Sequence, residues 1–341
     1  MKVRAFTLIP TIIIAFFCMV AATDNSPSPI FANALLTVAP VVTSDESVNE
    51  YTKQESFIEA SLPKTVTEQI EASDADDSFP VTGEHAVREL TITNGSSETD
   101  ASKVAFSNRT NYSIDINDYI NKEPDFDIEA NGEPQVLIVH THATESYLPK
   151  VVSGVDGSVA ARSTDTDKNM VAVGERLAEI LNANGIVTIQ DRTLNDHPSY
   201  SGAYDREAAI IEEYLTEYPS IKAVFDIHRD AMWQDDGTRL KPTVLVNGKK
   251  AAQIMIISGT DKGGLKMDGW QSNLKFAAAL QIAADEAYSG LMRPLNIAAA
   301  RYNMHMTSGS LLFEVGSDVN TLDEALYSIE LFADVITEVL T

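Results

Sequence analysis

The chain has 341 residues, with 50 acidic against 25 basic side chains and a formal net charge of −25 at pH 7. That balance excludes nucleic acid as a partner, because such binding rests on cationic neutralisation of phosphates. The one cysteine, Cys18, lies near the N-terminus, so the rest of the chain has no disulfide, no thiolate nucleophile and no cysteine-based metal site.

Lys2 and Arg4 precede an apolar run from Ala5 to Ala22. As a helix, about 18 such residues are just long enough to cross a bilayer. The basic residues favour an inside N-terminus, so residues 1–23 are predicted to form a single-pass membrane anchor that exports everything after Thr23. A cleaved signal segment is the alternative, since Met19-Val-Ala-Ala-Thr23 ends in small residues. From residue 24 to 130, Ser, Thr, Asn, Asp and Glu dominate, acidic residues far outnumber basic ones, and apolar runs are short. Such a stretch buries too little apolar surface to offset its ordering entropy, so it is expected to be a tether with only transient structure at Glu55 to Leu62 and His85 to Ile92.

The remainder, Asn131 to Thr341, is long enough for one domain with a sizeable core. Strand-like runs occur at Val136–His142, Ile186–Gln190, Ala223–His228, Gln253–Ser258, Leu295–Ala299 and Leu311–Val315. Helical periodicity occupies Lys168–Asn184, Tyr204–Glu217, Leu274–Ser289 and Leu322–Leu340, with Gly185 as a stop signal after the first. The alternation predicts an α/β domain, a mainly parallel sheet with helices on both faces.

Three of these strands deliver chemistry to their carboxyl ends, where ligands gather in such folds. Val136-Leu-Ile-Val-His-Thr-His-Ala-Thr-Glu145 ends in two histidines and a glutamate. His140 and His142 would share a face if the strand continued through both. Imidazole with carboxylate suits catalytic zinc. Val224-Phe-Asp-Ile-His228 repeats the pattern, with Asp226 on the same face as His228 and able to bond its far nitrogen, a role Asp230 or a backbone carbonyl could also fill. In Leu311-Leu-Phe-Glu-Val-Gly-Ser317 a carboxylate interrupts an apolar strand, and Gly316 and Ser317 open a turn. Glu314 therefore needs a partner, a metal-bound water or a raised pKa, all of which suit a general base. Taken singly, each histidine is more often structural and such a glutamate is more often paired to an arginine. The recurrence is what points to one metal site. No Gly-x-Ser-x-Gly elbow marks a serine hydrolase.

His140-Thr-His-Ala-Thr-Glu-Ser-Tyr147, Asp226-Ile-His-Arg-Asp-Ala231 and Phe313-Glu-Val-Gly-Ser317, with Asp196-His-Pro-Ser-Tyr-Ser-Gly-Ala-Tyr204 between them, resemble the stage II sporulation protein P family. Its members are membrane-anchored peptidoglycan hydrolases of endospore formers, similar in fold to zinc-dependent N-acetylmuramoyl-L-alanine amidases. The resemblance implies cleavage of the N-acetylmuramoyl-L-alanine amide, with additional endopeptidase activity, at the sporulation septum and engulfing membrane. It also implies a partner lytic transglycosylase, stage II sporulation protein D. Carried over by motif, His142, Glu145 and His228 would hold Zn2+ and Glu314 would be the catalytic base. His140 could replace Glu145 as a ligand, stand behind the ligands or be a buried strand residue. Arg229 could bind a substrate carboxylate or form a structural ion pair. A wall-binding module that recruits another hydrolase, or a zinc carboxypeptidase, remains the alternative at this stage.

Overall fold

A computed structural model of the chain describes residues 83–93, 104–120, 122–156 and 162–341. The anchor expected over 1–23 and the piece at Glu55 to Leu62 lie outside the described residues. Among those described, no helix is long and apolar enough to cross a membrane. In chain order the elements are strands β1 (His85–Leu90), β2 (Phe106–Asn108), β3 (Val136–Val139) and β4 (Gly154–Val155), helix α1 (Met170–Ala183), β5 (Thr188–Gln190), α2 (Ala203–Glu217), β6 (Ala223–Asp230), β7 (Arg239–Val246), β8 (Lys249–Ala252), β9 (Ile254–Ser258), α3 (Trp270–Ala287), β10 (Leu295–Ile297), β11 (Leu311–Ser317) and α4 (Leu322–Leu340).

Seven strands form the main sheet in the order β2-β10-β9-β11-β6-β3-β5. Only β11 against β9 is antiparallel, and the other neighbours run parallel. The sheet carries helices on both faces. Val136 and Ile138 of β3 join the larger core, together with residues of α1, α3 and α4, whereas Leu137 and Val139 pack on the opposite face with Ile211 of α2. Burial on both faces is why β3 reads as an unbroken apolar run. The α/β architecture is the one expected from the alternation of periods.

Local chemistry sets the helix ends. Asn169 caps α1, its side chain accepting from the Val171 N–H, and Gly185 follows the last turn at φ +86°. At α4, Thr321 and Glu324 form a reciprocal capping box.

A second sheet, β4-β1-β7-β8, was not expected. β7 and β8 form a hairpin turned on Asn247 and Gly248, both in the left-handed region (φ 51° and 79°), as a two-residue primed turn requires. β1 lies between β4 and β7, and β2 adds an edge strand beside β10. The tether expected through residue 130 is therefore partly a component of the folded unit. Its apolar content is sparse, but each inserted group meets a distant partner. Leu90 and Ile92 pack with Met232. Glu89 accepts from the buried Lys241 at 3.3 Å and from Lys250 at 2.6 Å, and Lys241 also reaches Glu324 at 2.6 Å.

A chain shortened to begin at Asn131 loses β1 and β2 and leaves buried Lys241 without Glu89. Relative to a chain beginning at Val81 it is expected to lose about 3 kcal/mol or more, chiefly the burial of Leu90 and Ile92, since Lys241 keeps Glu324. Denaturant unfolding of the two checks this, and equal stabilities would show that β1 adds nothing to the fold.

Candidate metal centre

β3 ends at Val139, and Thr141 turns the chain by donating its N–H and hydroxyl to Asp226 Oδ1 and Oδ2, at 2.9 and 2.7 Å. The Thr144 N–H then donates to Asp196 Oδ1 at 3.0 Å. Within the turn the Glu145 N–H donates to the His142 carbonyl at 3.0 Å, and the N–H of Met170, the first residue of α1, donates to the Glu145 carbonyl at 2.9 Å. Two carboxylates from elsewhere in the chain thus clamp the loop, and the clamped backbone aims His142 and Glu145 at the end of β6.

There they meet His228. His142, Glu145 and His228 are buried, and one ligand-type atom from each lies within 4.8 Å of the others. Glu145 Oε1 is 3.8 Å from His142 Nδ1, and Glu145 Oε2 is 3.6 Å from His228 Nδ1. Two atoms each about 2.1 Å from a tetrahedral ion stand about 3.4 Å apart, so two imidazoles and a carboxylate at these separations fit zinc. The far nitrogen of His228, Nε2, lies 2.8 Å from Asp226 Oδ2, the contact that orients a metal-binding histidine.

The three side chains hold one another's charge. Burial alone would lower the His228 imidazole, but Asp226 and Glu145 outweigh it and hold it well above its ordinary value. Burial would likewise raise Glu145, yet Arg229, His228 and His142 hold that carboxyl well below the usual range. A bound metal takes the place of such an imidazole proton.

Glu314 stands beside His228 in the parallel register of β11 and β6. It is fully buried, and neither carboxylate oxygen has a hydrogen-bond partner among the described residues. Burial first, then the charge of Asp230, push it up to about 8, with His228 pulling the other way. Just beyond, Ser317 opens the expected turn, its carbonyl accepting from the Asn320 N–H at 3.0 Å. β11 reaches Ser317 through a register shift, with Gly316 at φ +70° and so close to Asn320 and Ala252 that a Cβ would collide with both.

His140 is placed apart from this cluster. Because the strand stops at Val139, the histidines do not share a face. His140 is buried with Nδ1 3.4 Å from the Ile227 carbonyl oxygen, and its Nε2 accepts from the Gln190 amide at 2.9 Å. Its ring presses so tightly on α1 that a Cβ on Gly174 would come within 2.5 Å. Burial pushes this imidazole down to about 4, which agrees with the buried residue among the alternatives open to it. Of the two roles open to Arg229, the structure shows the ion pair. Its side chain is 4% exposed, with Nη1 3.6 Å from Glu145 Oε1 and Nε donating to the Ser146 carbonyl at 3.2 Å, so it serves the interior.

Two tryptophans and two further histidines lie outside the cluster. Trp270 is buried against Tyr112, and Trp233 is exposed over Arg239. His197 precedes Pro198 in an exposed turn, and His305 lies in the short turn Met304–Met306. Sequence reasoning missed Arg162, whose Nη2 is 3.7 Å from Glu145 Oε1. It also gave no role to Tyr200, whose ring stacks on His142 at 4.6 Å.

Two measurements test the centre. With zinc supplied, the wild type is expected to hold about one ion per chain, His228→Ala and Glu145→Ala to lose it, and His140→Gln to keep it at lower stability. Atomic emission reads the metal. In metal-free protein, Glu314 has a folded pKa above its ordinary 4.5, so its contribution to stability is full below pH 4.5 and is lost as pH rises through about 8. Glu314→Gln cannot ionise. It should be the more stable chain at pH 8 and nearly equal to wild type at pH 4.5, and denaturation at both values reads the difference.

The profile of the family described as Stage II sporulation protein P matches residues 41–337. Stage II sporulation protein P of Bacillus subtilis (strain 168) is 26% identical over 230 residues, 64% of this chain and 54% of that protein. The chain thus spans about half the length of the curated relative it matches. Among solved structures, the N-acetylmuramoyl-L-alanine amidase AmiC2 of Nostoc punctiforme is similar at a TM-score of 0.36 and 17% identity, over 61% of this chain and 96% of that one. The CwlD amidase from Clostridioides difficile, in complex with the GerS lipoprotein, is similar at 0.37 and 12%, over 60% and 98%. These likenesses are partial, and the fold described above rests on the strand order itself. The extent of the profile match settles the family: this chain belongs to the Stage II sporulation protein P family.

Proposed function

We propose that the chain is a zinc-dependent peptidoglycan hydrolase that cleaves the amide between N-acetylmuramic acid and L-alanine. Family membership supports wall substrate and a role in sporulation. The apolar run from Ala5 to Ala22 behind Lys2 and Arg4 supports a membrane-anchored chain working outside the cytoplasm, at the septum and engulfing membrane, beside stage II sporulation protein D.

His142, Glu145 and His228 would hold the ion. A zinc ion in such a donor set supplies a Lewis acid for the scissile carbonyl and for the attacking water. The protein supplies the rest. Glu314 takes a proton from the water as oxygen adds to the carbonyl carbon, then gives it to the alanine nitrogen as the carbon–nitrogen bond breaks. The carboxylate stays on the muramic side and the peptide leaves with a free amine. A carboxyl raised towards neutrality both accepts and returns a proton at working pH. Asp226 keeps His228 oriented through Nε2, and Arg229 keeps Glu145 ionised.

The observation that carries this reading is Glu314, buried with both oxygens unsatisfied among the described residues and next to His228 on the sheet. Leaving such a group in a core is costly, and a wall-binding scaffold has no use for it.

Purified full chain loaded with zinc is expected to release peptides with new alanine amino termini from cell walls. Glu314→Gln should lower the turnover by about 10²–10⁴-fold with zinc content unchanged. Undiminished activity in the variant would remove Glu314 from the mechanism. No product from wild type would leave the wall-binding reading in its place.

A further inference from the structure

We propose that Arg162, fixed against Tyr200 at the mouth of the His142–Glu145–His228 cluster, recognises a free carboxylate on the peptide side of the scissile amide. The inference rests on the hydrolase reading above and names the feature of the substrate that this site selects.

Arg162 reaches the cluster along an antiparallel bridge to Glu145, and the adjoining Ser163 N–H donates to the Thr144 carbonyl at 2.7 Å. Its Nη1 donates to Asp196 Oδ2 at 2.6 Å and to Thr144 Oγ1 at 3.2 Å. Its guanidinium carbon lies 4.9 Å from the centre of the Tyr200 ring, and that ring stacks on His142 within 18° of parallel. Guanidinium, phenol and imidazole therefore form one linked series that ends at a candidate ligand. The side chain is held from two directions before any substrate arrives, which is how a binding group avoids ordering cost on association.

Two arginines flank Glu145, and they differ. Arg229 is 4% exposed and bonded to the interior, whereas the Arg162 side chain is 32% exposed. Neutralising Glu145 does not require Arg162, since Arg229 already does so. Nor is Arg162 drawn into a hydrogen bond there, because Nη2 stays 3.7 Å from Glu145 Oε1. Part of the guanidinium therefore remains accessible. In a chain of net charge −25, an acidic peptide is repelled at long range and needs a fixed cation to orient it. A planar guanidinium matches a carboxylate edge to edge.

Reach decides which carboxylate. An oxygen about 2.8 Å from Nη2 lies roughly 6 Å from the Glu145 carboxylate, and one residue spans at most about 3.6 Å. The carboxylate proposed is therefore one within about two residues of the cluster, that of the second residue of the stem peptide, and not one at a distant terminus.

The test uses the full chain carrying Glu314→Gln, which binds without turnover, and three N-acetylmuramoyl tripeptides in calorimetric titrations. One has the second-residue carboxylate free and its terminus amidated. The second has both amidated. The third has only the terminal carboxylate free. The first is expected to bind about tenfold or more tightly than the other two. Adding Arg162→Gln should erase that preference, and Arg162→Lys should keep only part of it, since an ammonium lacks the fork. Equal affinities for the three, a preference that survives Arg162→Gln, a preference for the terminal carboxylate, or no binding of any peptide would each overturn the proposal. Cleavage by zinc-loaded wild type is scored separately, so selective binding without cleavage would sink the hydrolase reading and leave Arg162 as a carboxylate receptor.

Discussion

The Asp226 carboxylate accepts from the Thr141 N–H and hydroxyl and lies against His228 Nε2, all inside the sheet-facing interior. Each contact settles a different question. The Thr141 bonds fix where β3 gives way to the ligand loop. The His228 contact turns Nδ1 towards Glu145. Burial opposes the charge on Asp226, and His228 is the largest of the groups that hold it ionised. Glu207 of α2 lies close by, where burial and the charge of Asp226 hold its carboxyl well above the ordinary range. One of two neighbouring buried carboxyls can then stay charged while the other keeps its proton. Asn303 supports the neutral partner by donating to Glu207 Oε2 at 3.0 Å, from a backbone at φ 57°.

The same division separates Glu145 from Glu314. Both are buried carboxyls in contact range of the same two strands, yet the first is held low and the second is raised. Composition does not distinguish them. Cations do, because Glu145 has Arg229 and two imidazoles around it whereas Glu314 faces Asp230 and receives no hydrogen bond among the described residues. Environments that push two carboxyls apart assign one to hold charge and the other to move a proton.

Much of this was legible because parallel strands covered on both faces are written as apolar runs, and polar residues interrupting their ends stand out. Six strands and four helices were expected close to where they lie, and His142, Glu145 and His228 come together as a group. The failures have separate physical causes. His140 was given the face of His142 on the assumption of a continuing strand, but the hydrogen bonds of Thr141 to Asp226 end that strand. β1 and β2 were hidden because their stability comes from remote partners, Lys241 and β10 among them, and not from their own apolar content. The hairpin at Asn247-Gly248 could have been found, since an Asn-Gly pair between alternating residues is a strong turn signal. Arg162 could not, because nothing in its neighbourhood marks it until the chain folds back on Glu145.

The inserted strand β1 also ties the upstream chain to the site. It pairs with β4, with Val87 N–H donating to the Ser153 carbonyl at 2.9 Å, and a Cβ on Gly83 would strike the Val155 backbone. On its other edge β1 meets β7, whose Lys241 joins Glu89 to the capping glutamate of α4. The segment before the cluster is thus paired on both edges, with β4 on one side and β7 on the other. A purely flexible spacer would leave both to form alone. Here β1 orders β4 through its own ladder, while Arg162 is held separately by its bridge to Glu145 and its bonds to Asp196 and Thr144.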